Sequence, residues 1–126
     1  MHLTSAHGVI SLDDLEEHIQ RLFEELRVAA PEYGKLIQAF YSDPTLSPPQ
    51  VVQLRAELSE LHARYERRRM AEVKRERHVF SRDPQVEERI LRGLLTSDVL
   101  LEKLAALVAF CEATVETHDS IFCQSD

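Results

Sequence analysis

The chain has 126 residues, a net charge of −7, 44% apolar and 29% charged residues, and no tryptophan. One domain of that size can bury a core without disulfides or metal. Cys111 and Cys123 have no metal-ligand spacing; a single disulfide is left open, but reduced thiols are favoured. The opening "MHLTSAHGVISLDD" lacks the charged-then-apolar order of a signal peptide, and no apolar run is uninterrupted enough to span a bilayer, so a cytoplasmic location is expected.

The first predicted element is an amphipathic helix over roughly residues 12–29. Ser11 reads as its N-cap, and Asp13, Asp14, Glu16 and Glu17 place anions where the helix dipole favours them. Leu12, Leu15, Ile19, Leu22 and Leu26 make its buried stripe. Pro31 fits a first turn, so a short second helix is expected there, carrying Tyr33, Leu36, Ile37, Phe40 and Tyr41.

"SDPTLSPPQ" breaks the pattern. Ser47, Pro48 and Gln50 then form a capping box for a long helix reaching about residue 78. Val51, Leu54, Leu58, Leu61 and Tyr65 are its stripe, which fades after Tyr65. Asp83 and Pro84 start a fourth helix, with Val86, Ile90, Leu91, Leu94 and Leu95 as its buried face. "TSD" at 96–98 opens the last helix, the most apolar piece, with Ala105, Ala106, Ala109 and Ala113 flanking its stripe. Ile121 and Phe122 tuck back onto the core. No strand-like alternation and no repeat is evident. The expected fold is all-α: one domain, a bundle of four to five helices, with 1–10 and 119–126 as candidate flexible tails.

Charge is uneven. Residues 1–63 carry −6, residues 64–78 carry +4 and residues 79–126 carry −5. On a helix, Arg64, Arg67, Arg68, Lys74, Arg75 and His78 share one arc away from the buried stripe. The basic run therefore reads as a solvated or internally paired face. An acidic chain without tryptophan or a recognised motif is not expected to bind nucleic acid.

The six histidines, His2, His7, His18, His62, His78 and His118, include none three residues after a glutamate. That removes the ligand pairs of di-iron bundles, and no His-Glu-x-x-His occurs. There is no Gly-rich phosphate loop, and Cys111 in its apolar setting reads as a core residue. No catalysis, metal or cofactor is expected.

The remaining signal is acidic. Asp13, Glu17 and Glu24 lie opposite the buried stripe of the first helix, with Asp14 and Glu25 beside them and Tyr41 and Asp43 at the next turn. Such a face, with an aromatic at its edge, suits a basic protein partner.

The stretches "DDLEEHIQRLFEEL", "YGKLIQAFYSDPTLSPPQVVQLRAELSEL" and the terminal "QSD" give the chain a composition that resembles the small acidic helical immunity proteins of bacterial polymorphic toxin systems. The likeness covers about half the chain and rests on no single motif. It implies a cytoplasmic protein that binds one cognate toxin domain and blocks it, with no chemistry of its own. The basic run departs from a uniformly acidic inhibitor. The alternative is a self-associating helical scaffold or regulatory adaptor, a homodimer for example, motivated by the fading stripe at 65–80 and the alanine flank.

Overall fold

The computed structural model describes residues 1–33 and 45–124. Among these residues, four strands and four α-helices follow one another. They are β1 (His2–Ser5), β2 (Gly8–Ser11), a 3-10 turn (Asp13–Leu15), α1 (Glu16–Ala29), β3 (Thr45–Leu46), α2 (Pro48–Arg77), α3 (Pro84–Leu94), α4 (Val99–Glu116) and β4 (Ile121–Gln124). The all-α expectation is therefore overturned: the strands form an antiparallel sheet in the order β2-β1-β4-β3.

The strands escape sequence reading because each is four residues or fewer, too short for period-two alternation to stand out. β1 and β2 form a hairpin through Ala6 and His7, and Gly8 takes φ +119, where a side chain would be strained. β4 lies between β1 and β3, with Leu3 opposite Cys123 and Leu46 opposite Ile121. These four side chains are all buried, whereas Phe122 is exposed. Residues 2–10 and 121–124, which lie within the candidate tails, thus build most of the sheet. Ile121 does tuck in; Phe122 does not.

The helices keep closer to expectation. Ser11 ends β2 instead of capping α1, which is led in by the 3-10 turn. Ile19, Leu22, Phe23 and Leu26 are the buried face of α1. The capping box of α2 is present, with the Ser47 amide donating to Gln50 Oε1 at 2.8 Å. Of the helix expected from Pro31, residues 31–33 form a turn and the rest lies outside the described residues.

The main core joins sheet and helices: Leu3, Leu46, Ile121 and Cys123 meet α1, the first half of α2 and the Leu104, Leu107 and Cys111 face of α4. Glu57 is fully buried on α2 between Leu54 and Leu58. At 30 residues α2 is about 45 Å long and outruns that core. Its far half carries a second, smaller core of Val73, Leu91 and Leu95, with Met70, Val79 and Leu101 packed on it. The buried stripe of α2 fades after Tyr65 because one core ends there and another, built by α3, begins.

Candidate functional site

The expected contact residues separate into three groups. Asp14, Glu17, Glu24 and Glu25 are exposed. Asp13 lies in the 3-10 turn. Tyr41 and Asp43 lie outside the described residues. On α1, Glu24 pairs with Arg27 at 3.1 Å and Glu25 reaches Arg68 of α2 at 3.0 Å. Asp14 and Glu17 have no ion-pair partner among the described residues.

Asp14 belongs to a hollow of about 440 Å³ between the 3-10 turn and α4, lined by Leu15, Val99, Glu102, Lys103 and Ala106. Lys103 is anchored there, its Nζ donating to the Ser11 carbonyl at 2.8 Å. Beyond the hollow, α4 exposes Ala105, Ala106 and Ala109 together with Glu102, Glu112 and Glu116. The three glutamates also have no ion-pair partner among the described residues. Exposed carboxylates are therefore more widespread than the sequence reading had them. They stand on the 3-10 turn, on α1 and on α4, where small side chains lie between the glutamates. Those on α4 were missed because that helix was read for its apolar stripe.

The basic run is largely tied down. Arg64 pairs with Glu60 at 2.7 Å, Lys74 with Glu87 at 2.6 Å, and Arg69 with Glu72 and Asp98. Arg68 also lies 5.5 Å from the Tyr65 ring centre. Arg67, Arg75 and Arg77 stay exposed. A groove of about 320 Å³ separates α1 from α2, with Leu22, Leu26, Leu61 and Tyr65 in its wall and the Glu25–Arg68 pair on its rim.

Asp98 is the node between α2 and α4. It caps α4 by accepting from the Leu101 amide at 3.0 Å, and also accepts from Tyr65 Oη at 3.1 Å and Arg69 Nε at 3.1 Å. Burial, reinforced by the Asp98 charge, pushes the Tyr65 phenol up to about 12. Burial likewise pushes the Cys111 thiol up to about 12, with Cys123 adding to the effect. Both cysteines are free and buried. At the other end of α4, Asp119 accepts from the Ala6 and Ser120 amides, which hold its carboxyl below the usual range.

Helix α3 corrects one more expectation. Only Leu91 and Leu95 are buried; Val86, Ile90 and Leu94 are 37, 45 and 42% exposed. The five apolar positions form two faces about 120° apart, and α2 covers one of them. Among the described residues, no group of three or more His, Cys, Asp or Glu is placed to hold a metal ion, and no helix is long and apolar enough to cross a membrane. No protein-family model, curated protein or solved structure matches this chain.

Proposed function

We propose that this chain is a non-catalytic protein-binding module whose acidic α1–α4 surface docks a basic partner, and that the partner is a toxin domain it neutralises. One observation carries the reading. Asp14, Glu17, Glu102, Glu112 and Glu116 are exposed on the 3-10 turn, α1 and α4 and lack ion-pair partners among the described residues, whereas much of the basic run is paired internally. Asp14 and Glu102 line the hollow together with Lys103, so the carboxylates outnumber the ammonium and leave a net negative field for an incoming cation. Such a field speeds encounter and fixes orientation more than it adds affinity.

The test is co-expression with the chromosomal neighbours, followed by association kinetics with any near-stoichiometric partner whose expression alone is lethal. Glu17→Lys combined with Glu102→Lys is expected to lower the on-rate about tenfold or more at low salt, with the gap closing as salt rises. An unchanged on-rate would remove this surface from the model. The exposed Ala105, Ala106 and Ala109 favour self-association as the second reading. A monomer by light scattering at high concentration would count against that.

A further inference from the structure

We propose that the outer face of α3 is a docking surface for an amphipathic helix of a partner protein, one with apolar residues at three-four spacing and aspartates or glutamates beside them. Val86, Ile90 and Leu94 recur every four residues and so form one line along α3. The three are 37, 45 and 42% exposed, so the strip is open along the length of the helix. Scattered apolar side chains on a surface need no explanation, but a contiguous strip marks an interaction site. The strip stays open because α2 gives α3 only a narrow seam, Val73 against Leu91 and Leu95.

Charge identifies the occupant. The cations of this region that face α2 are neutralised: Lys74 by Glu87, and Arg92 by Glu66 and Glu88. Those along the strip are not. Arg89 precedes Ile90 on the side away from Leu91, and Arg82 lies in the link into α3. Both are exposed, and neither has an ion-pair partner among the described residues. Of the nearby acids, Asp83 is committed to capping, accepting from the Gln85 amide at 3.0 Å. An apolar strip bordered by unpaired guanidiniums is the complement of an acidic amphipathic helix.

A second copy of this chain fits less well. A two-fold axis through Ile90 would set Arg89 against its own symmetry mate, a like-charge contact without compensation. Nucleic acid gains nothing from burying Val86, Ile90 and Leu94, and the one exposed ring, Phe80, already has Lys74 over it at 5.5 Å. This docking surface is independent of the acidic α1–α4 surface.

The test is a displayed library of randomised helical peptides of about 16 residues, selected on the whole chain. The affinity of the enriched peptides is then measured by fluorescence anisotropy. The expected winners carry Leu, Ile or Phe at three-four spacing with Asp and Glu alongside. Ile90→Glu should weaken them at least tenfold, and Arg89→Glu about three- to tenfold, the latter fading with salt. Both sites are exposed, so circular dichroism and Tm should match the wild type, and Arg89→Glu keeps the test valid should Ile90→Glu perturb the fold. The proposal is overturned by no enrichment, by neutral or basic winners, or by affinity that ignores Ile90→Glu. It is equally overturned by a dimer that Ile90→Glu dissociates, or by a single-stranded RNA oligomer that binds this face.

Discussion

Asp98 accepts a hydrogen bond from Tyr65 Oη at 3.1 Å while its other carboxylate oxygen caps α4 through the Leu101 amide at 3.0 Å. One side chain thus fixes both where α4 begins and how it lies on α2. Asp98→Ala removes the cap and leaves the half-buried Tyr65 hydroxyl and Arg69 without that acceptor. A loss of about 2–3 kcal/mol is expected in urea unfolding. Asp83→Ala is the control, since Asp83 caps α3 at an exposed site, and should cost about 1 kcal/mol. Equal costs would mean that Asp98 acts as a cap alone.

The same contact governs alkaline behaviour. Tyr65 has its pKa raised from 10.0 to about 12. Between those values the unfolded chain has lost a proton that the folded chain keeps. The contribution is therefore complete below pH 10 and is lost as pH rises toward 12. Absorbance titration of the phenols should show a tyrosine ionising late, and Tyr65→Phe should remove that late step.

Cys111 and Cys123 are expected to be slow toward a thiol reagent in the native protein. Both are buried, and the Cys111 thiol is pushed up to about 12, so almost no thiolate is present near neutral pH. Denaturant should release both together, in step with unfolding measured by circular dichroism. Rapid native labelling of Cys111 would contradict the packing of α4 on the sheet.

Ile121→Ala should cost about 2–4 kcal/mol, a large amount for a side chain so near the end of the sequence. Ile121 is fully buried and sits opposite Leu46, in a strand with neighbours on both sides. Phe122→Ala should be nearly neutral, because the larger neighbouring ring is 52% exposed. Thermal unfolding of the two variants gives the comparison.

Three helix starts were legible because they are local, whereas Ser11, read as the cap of the first helix, ends β2. Ser47-Pro48 with Gln50, Asp83-Pro84 and Asp98 each satisfy backbone donors within a few residues, and the structure uses all three. The sheet was not legible, because Leu3, Leu46, Ile121 and Cys123 become one face only after distant segments meet. For α3, the apolar positions were correct but were assigned to a single buried side. Helical spacing separates Val86, Ile90 and Leu94 from Leu91 and Leu95, but which group is covered depends on where α2 passes. Helical spacing named the exposed carboxylates of α1, whereas the exposed α4 glutamates Glu102, Glu112 and Glu116 drew no notice, because that helix was read for its apolar stripe.

The pairing of β1 with β4 sets the order in which the molecule can assemble. His2 and Gln124 are partners in the ladder, so closing the sheet joins segments separated by nearly the whole sequence. The helices need only local hydrogen bonds and can form early, with α2 docking α4 across the 33-residue separation of Tyr65 and Asp98. The sheet must wait until that scaffold brings the distant strands within reach, since loop closure is costly until native contacts reward it. Sheet closure is then the slow step of refolding, and until it is reached Leu3, Leu46 and Ile121 remain open to water and to other chains.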